Sequence, residues 1–157
     1  MKKLIIVVAF LGLSINAISQ NIYNENIDGS KQISEAKEKA KKENKHILVM
    51  VGGNWCKWCL IFDEFISINK AVNKILEDNY VLIHINYSNK NKNGEAMKEL
   101  GFPQRFGFPV FIILDKEGRR IHTQNSAYLE QNESYSEKEV ISFLNHWTRK
   151  AIRPNLP

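Results

Sequence analysis

The sequence predicts an α/β fold with a central mixed sheet of about four strands flanked by helices. Three apolar runs rich in β-branched residues, at 46–51, 80–86 and 110–114, have the character of buried strands. A helical pattern of apolar residues lies between the first two runs. Because a crossover of this length joins parallel strands with right-handed sense, the first two strands are predicted to run parallel.

The beginning of the chain predicts export. A positively charged start at 1–3 precedes an uncharged apolar run at 4–13, and the small residues Ala17 and Ser19 follow. This order is typical of a secretory signal peptide, which is predicted to occupy residues 1–19. The apolar run is shorter than the roughly 20 residues that a spanning helix needs. An uncleaved membrane anchor is the alternative interpretation.

The remaining residues, 20–157, are predicted to form one compact exported domain that is periplasmic in a bacterial cell and does not span the membrane. The whole chain has a formal net charge of +5, and cleavage of the leader would remove Lys2 and Lys3. The positive excess that remains is small and dispersed along the chain. Such a distribution gives no indication of nucleic-acid binding.

A polar, aperiodic segment at 20–29 is predicted to be an extended lead-in to the first helix, which Ser30 would cap. Ile33, Ala36 and Ala40 form the apolar stripe of this helix. The charged stretch at 37–45 is interpreted as its solvated face. The first strand, at 46–51, then leads to a glycine pair.

The second helix is predicted to begin at Lys57, after the turn that follows the glycine pair. Its apolar residues recur at steps of three and four, namely Trp58, Ile61, Phe62, Phe65 and Ile66. Ser67 or Asn69 is predicted to cap a continuation of this helix. The strand at 80–86 follows, and a short helix is predicted at 95–100.

The last part of the chain predicts a hairpin and a helix. Pro109 opens the strand at 110–114, since proline is tolerated at the first residue of a strand. A turn at 115–118 leads to an antiparallel partner strand. Ser136 is predicted to cap the final helix and to form a reciprocal capping box with Glu139.

The two cysteines of the chain, Cys56 and Cys59, form a Cys-x-x-Cys pair. A disulfide that closes so short a loop restricts little of the unfolded chain, so the pair is better suited to chemistry than to scaffolding. At the start of a helix, unpaired amide groups, together with the cation of Lys57, favour the thiolate of Cys56. We therefore predict that Cys56 attacks and that Cys59, one turn further and more buried, resolves the mixed disulfide.

The segment Trp55-Cys56-Lys57-Trp58-Cys59 after an apolar strand resembles the active-site motif of the thioredoxin superfamily. Phe108-Pro109-Val110 is similar to the cis-proline segment that faces the cysteine pair in that superfamily. The order of elements from about 30 to 147 matches the fold. The resemblance is closest to exported bacterial thioredoxin-like thiol–disulfide oxidoreductases, and it implies catalysis by the cysteine pair without a cofactor or a metal.

The resemblance also implies roles for residues near the pair. A cis bond at Pro109 would leave the backbone of Phe108 facing an extended substrate peptide. Independently of the resemblance, Trp55 is expected to form a wall beside the site that could also bind substrate side chains. A partly exposed Trp58 favours a protein substrate. Partners implied are protein thiols or disulfides and a membrane or periplasmic redox protein.

Two departures from thioredoxin concern this region. Lys57-Trp58 stands where thioredoxin has Gly-Pro, and Met50 occupies the position of its buried aspartate, a group thought to move protons at the inner cysteine. Asp63 matches an acidic residue that the exported relatives carry four positions after the second cysteine. Asp63 or Glu64 could assist through water, or both could be solvated surface acids.

Other functions remain open at this stage. The pair could hold copper(I) in a carrier, or the domain could be a non-catalytic binding module, since fold alone does not confer activity. A structural zinc site would need further ligands close in sequence. The redox direction is open as well. Structural or surface roles are expected for the four histidines, which are His46, His84, His122 and His146.

Overall fold

The computed structural model describes residues 21–152. The predicted signal peptide at 1–19 lies outside the described residues. A four-stranded sheet forms the centre of the fold. Its strands are β1 His46–Gly52, β2 Tyr80–Asn86, β3 Val110–Leu114 and β4 Arg120–Asn125. They lie side by side in the order β2-β1-β3-β4.

The sheet is mixed, as the sequence predicts. β1 pairs in parallel with β2, from His46 opposite Tyr80 to Gly52 opposite Asn86. On its other side β1 pairs antiparallel with β3, and β3 pairs antiparallel with β4. Every residue of β1 and β3 is buried, which explains why both read as continuous apolar runs. The predicted mixed α/β fold is thus confirmed.

Helices cover both faces of the sheet. They are α1 Gly29–Glu43, α2 Lys57–Ile68, α3 Lys70–Asn79, α4 Gly94–Glu99, α5 Glu137–His146 and α6 Arg149–Ile152. Between β4 and α5 the chain forms a second, two-stranded sheet from β5 Glu130–Gln131 and β6 Ser134–Tyr135. Within residues 21–152 no helix is both long enough and apolar enough to cross a bilayer.

The sheet separates two buried clusters of different composition. One cluster, which we call the aliphatic face, lies under α1 and α4 and contains residues such as Ile33, Val49 and Ile112. The other, which we call the aromatic face, lies under α2, α3 and α5 and includes Phe62, Phe111 and both cysteines. Alternate residues of β1 and β3 point to the two faces.

Two predicted helix starts need correction. The predicted cap of α1, Ser30, lies inside the helix, because the side chain of Asp28 accepts hydrogen bonds from the backbone N–H groups of Ser30 and Lys31. Ser136 does cap α5, but its own N–H donates to the carbonyl of Leu129, so the reciprocal bond of a capping box does not form. Of the two candidates for α3, Asn69 is the cap.

The predicted extended lead-in is also wrong for the described residues. Residues 21–28 form turns, and Tyr23 is buried in the aromatic face with 1% of its surface exposed. Two hydrogen bonds hold it there, from the Tyr23 N–H to Asn54 Oδ1 (3.0 Å) and from Asn54 Nδ2 to the Tyr23 carbonyl (2.8 Å). This segment is therefore fixed to the loop that precedes the cysteine pair.

Candidate active site

The cysteine pair lies where β1 ends and α2 begins. Cys56 is the N-cap residue of α2, and it forms a disulfide with Cys59 across a Cα–Cα distance of 5.2 Å. The sulfur of Cys56 also accepts the backbone N–H of Cys59 at 3.2 Å. Cys59 has no exposed surface, whereas Cys56 retains a small exposed fraction. Cys59 is therefore the more buried residue of the pair, as the sequence predicts.

Gly52 is required where β1 meets the disulfide, a role that the sequence analysis missed. A Cβ atom at this position would overlap the sulfur of Cys59 and lie 2.7 Å from the hydroxyl oxygen of Tyr23. Backbone and sulfur can pack this closely only because glycine has no side chain. The glycine pair was visible in the sequence, but the group that it accommodates was not.

A half-open apolar groove lies beside Cys56. Trp55 is 57% exposed, its Nε1 donates to the carbonyl of Tyr87 (2.8 Å), and its ring meets Phe108 edge-on at 5.3 Å. The ring of Tyr87 stacks on Phe108 at 5.1 Å. Together with Ser88 and Asn89 these residues line a cavity of about 320 Å³. Tyr87 was not singled out from the sequence, because it follows the end of β2 and lacks a motif.

The peptide bond between Phe108 and Pro109 is cis. Pro109 is buried and precedes β3, whose first residue, Val110, pairs with Val51 at the end of β1. This register brings the proline segment, at the start of β3, to the same end of the sheet as the cysteine pair, which follows the end of β1. The structure therefore brings Phe108, which is distant in sequence, next to Trp55 and the cysteine pair.

Lys57 and Trp58 have different environments. The side chain of Lys57 is exposed at the first turn of α2. Trp58 is half-buried, with its ring edge-on to Tyr135 at 5.6 Å, and the Tyr135 hydroxyl donates to the carbonyl of Trp58 at 3.1 Å. Trp58 is thus partly exposed, as predicted, and β6 supports it from the side.

The two candidate acids also differ. Glu64 is exposed, whereas Asp63 is largely covered, and its Oδ1 lies 3.5 Å from Nε2 of His84 on β2. Burial lowers the pKa of His84, and the charge of Asp63 opposes this effect. Met50, which the resemblance matches to thioredoxin's buried aspartate, is fully buried in the aromatic face. Asp63 is therefore not a solvated surface acid, and His84 is its neighbour.

Tyr23 completes this buried region. Its ring meets that of His84 edge-on at 5.4 Å. Burial raises the pKa of Tyr23 well above its usual value, and the nearby charge of Asp63 raises it further.

Within residues 21–152, no three His, Cys, Asp or Glu side chains converge as a metal centre requires.

Comparison with known proteins agrees with this architecture. The sequence profile of the family named Thioredox_DsbH, described as a protein of unknown function, DUF255, matches residues 17–152. Spermatogenesis-associated protein 20 of Mus musculus is 35% identical over 66 residues, which make up 42% of this chain and 8% of the mouse protein. The chain thus aligns with a small part of that relative's length.

Solved structures share the fold. A structure titled disulphide isomerase from Xylella fastidiosa Temecula1 superposes with a TM-score of 0.69 and 23% identity, covering 78% of this chain and 93% of that one. The C-terminal domain of Neisseria meningitidis DsbD in its oxidised form gives a TM-score of 0.50 and 14% identity, covering 76% and 95%. Both likenesses concern the fold alone. With the match of its family profile across nearly all of its length, the thioredoxin-like chain described here belongs to the Thioredox_DsbH family.

Proposed function

We propose that this protein is a thiol–disulfide oxidoreductase that exchanges dithiols and disulfides in exported protein substrates. The observation that carries the proposal is the placement of the Cys56–Cys59 disulfide. It lies at the start of α2, with Cys56 5% exposed next to an apolar groove and Cys59 without exposed surface. A pair used only as a staple would need neither this groove nor this difference in exposure.

Cys56 is the proposed nucleophile. As the N-cap of α2 it lies next to backbone N–H groups that lack helical partners, and these stabilise a thiolate. The cation of Lys57 at the first helical position acts in the same direction. The Cys56 thiolate attacks a substrate disulfide and releases one substrate sulfur as a thiolate. A mixed disulfide then joins Cys56 to the other substrate sulfur.

Cys59 is the proposed resolving residue. Because it has no exposed surface, it is protected from direct attack by a bulky substrate, yet it lies within bonding distance of Cys56. Its thiolate attacks Cys56, the Cys56–Cys59 disulfide forms, and the second substrate thiolate leaves. The substrate gains two electrons and the pair loses them. The reverse sequence oxidises a substrate dithiol.

The groove formed by Trp55, Tyr87 and Phe108 supports a protein substrate. Its exposed aromatic surface suits an apolar side chain close to the reacting cysteine of an extended peptide. In this role Phe108 lines the groove, and we propose that its neighbour Pro109 and the half-buried Trp58 add to the substrate-binding surface. A free small thiol would bury little of this surface.

A membrane or periplasmic redox protein is the proposed partner that resets the pair. The predicted signal peptide at 1–19 supports export, with the periplasm as the proposed location. The fold shared with the C-terminal domain of Neisseria meningitidis DsbD is consistent with a redox partner of this kind. Its identity determines whether the pair works mainly as a reductant or as an oxidant.

The direct test compares wild type with Cys56→Ser and Cys59→Ser in insulin reduction and in oxidation of a reduced peptide. We expect wild type to catalyse at least one of these reactions and Cys56→Ser to fall to the uncatalysed rate. Cys59→Ser should accumulate a mixed disulfide that mass spectrometry detects. Equal rates for wild type and Cys56→Ser would contradict the proposal, and tight stoichiometric binding of copper(I) without exchange activity would favour a carrier.

A further inference from the structure

Two polar atoms lie buried without hydrogen-bond partners beneath the cysteine pair. They are the hydroxyl oxygen of Tyr23 and Nε2 of His84. Buried polar groups are nearly always paired, so an unpaired one in a folded protein calls for an explanation. Here the two belong to side chains that contact one another, with ring centroids 5.4 Å apart.

The same two side chains lie between the inner cysteine and a partly exposed acid. A Cβ atom at Gly52 would overlap Cys59 Sγ and lie 2.7 Å from the Tyr23 hydroxyl, so sulfur and hydroxyl are close neighbours on one side of β1. At the other end, His84 Nε2 lies 3.5 Å from Asp63 Oδ1, and Asp63 keeps 19% of its side chain exposed. Cys59 itself has no exposed surface.

The chemistry of the inner cysteine creates a need for such a path. Cys59 must lose a proton before it can attack, and a fully buried thiol has no water to accept it. Met50, which is buried in the same cluster, has a thioether that can accept only a weak hydrogen bond and does not take up a proton. An acceptor must therefore come from another element of the fold.

We propose that Tyr23 and His84 form a proton relay that deprotonates Cys59 when it resolves the mixed disulfide, with Asp63 at the solvent end. This inference rests on the proposed function and names a further part of the same site. Tyr23 is the relay group next to the sulfur. His84 and Asp63 act through Tyr23, so they are positioning residues.

The proton transfer balances within the chain. The Cys59 thiol gives its proton to the Tyr23 oxygen while the original hydroxyl proton of Tyr23 passes to Nε2 of His84. The Cys59 sulfur forms its bond to Cys56, and the electron pair of the broken mixed disulfide leaves with the substrate thiolate. The imidazolium, held beside Asp63, then releases its proton to solvent, where the substrate thiolate can take one up.

The protonation states fit this role. Burial lowers the pKa of His84, which keeps the imidazole neutral and able to accept a proton, although Asp63 limits the effect. Burial first, then the charges of Asp63 and Tyr135, raise the pKa of Tyr23, so its hydroxyl keeps a proton to donate. The titratable groups that face the relay are therefore Cys59 and Asp63 from α2 and Tyr135 from β6.

A two-step reaction separates this role from a structural one. Reduced protein is mixed with one equivalent of dithiobis(nitrobenzoate), and release of the coloured thiolate is followed by stopped flow. The first release reports attack by Cys56, and the second reports resolution by Cys59. In Tyr23→Phe and His84→Gln we expect the second step to slow by about 100-fold near neutral pH, with the first step unchanged.

The pH profile decides between a relay and a packing effect. In both variants the rate of the second step should recover as pH rises, because Cys59 then loses its proton without the relay. The plot of this rate against pH should therefore shift to higher pH. Tyr80→Phe is the matched control, because it removes another buried hydroxyl, bonded to the carbonyl of Leu144 at the far end of β2. We expect it to leave both steps unchanged.

Three outcomes would overturn the relay. They are an unchanged second step in Tyr23→Phe and His84→Gln, a slowing that is equal at every pH, and an equal slowing in Tyr80→Phe. Failure of the proposed function has a different signature, since wild type itself would then show no second release. An unchanged first step demonstrates that each variant is folded around Cys56.

Discussion

The two faces of the sheet differ in what their buried residues require of their neighbours. On the aliphatic face the buried residues are aliphatic throughout, and burial alone satisfies them. The aromatic face carries tyrosines, phenylalanines and the cysteine pair. Buried aromatic rings prefer particular relative orientations, and a buried tyrosine hydroxyl needs a hydrogen-bond partner. The aliphatic face therefore serves mainly as scaffold, although Tyr87 and Phe108 of the groove pack against it. The aromatic face contains the cysteine pair of the candidate site.

Truncation of a core residue on each face gives the largest expected effect and tests this division. Ile112→Ala on the aliphatic face should lower the free energy of unfolding by about 2–5 kcal/mol, because it leaves a cavity in a fully buried position. Per folded molecule, the rate of thiol–disulfide exchange should stay at the wild-type value. Urea unfolding and the two-step exchange assay measure the two quantities.

Phe111→Ala is the matched variant on the aromatic face. Phe111 packs against Phe62 at 4.4 Å, and Phe62 follows Cys59 by one turn of α2. We expect a loss of about 3–5 kcal/mol together with a changed exchange rate. If Ile112→Ala altered exchange as strongly as Phe111→Ala, the division into scaffold and site would be wrong.

Gly52→Ala should produce the next largest effect. Its added methyl group would overlap the Cys59 sulfur and crowd the Tyr23 hydroxyl, so we expect a loss of about 1–3 kcal/mol in the oxidised protein, together with altered exchange. Gly94→Ala is the control, because an added Cβ there meets nothing within 4 Å. Thermal unfolding of both oxidised variants makes the comparison, and equal melting temperatures would contradict it.

The contrast between the faces also explains what could be predicted from the sequence. β1, β2 and β3 each carry their own apolar pattern, and the Cys-x-x-Cys spacing fixes the pair on α2, so strands and cysteines could be identified locally. The environment of Tyr23 could not, because its partner Asn54 lies 31 residues away and the segment around it has no period. Likewise, the proximity of His84 to Asp63 could not be predicted, because it depends on how β2 lies relative to α2 in the folded protein.

A smaller effect is expected at the start of α1. Asp28→Ala removes the side chain that accepts two backbone N–H groups, which should cost about 1 kcal/mol. Ser30→Ala at the predicted but incorrect cap should cost much less, since the Ser30 hydroxyl is not the capping group. Denaturant midpoints distinguish the two variants. A larger loss of stability for Ser30→Ala than for Asp28→Ala would indicate that Ser30 is the cap after all.

The smallest effect is a dependence of stability on pH that belongs to the aromatic face. Burial holds the pKa of His84 below its usual value of 6.5, so as pH falls the unfolded chain binds the proton before the folded protein does. Stability from this residue is therefore fully present above the unfolded pKa and is lost as pH falls below it. His84→Gln should flatten the acid side of a plot of unfolding free energy against pH, relative to wild type.

His122→Gln, which removes a histidine stacked on Trp147, serves as the control and should keep the His84-dependent part of the slope. An identical slope in wild type and His84→Gln would mean that His84 is not held neutral by its surroundings, and the aromatic face would then lose the acceptor that its chemistry needs.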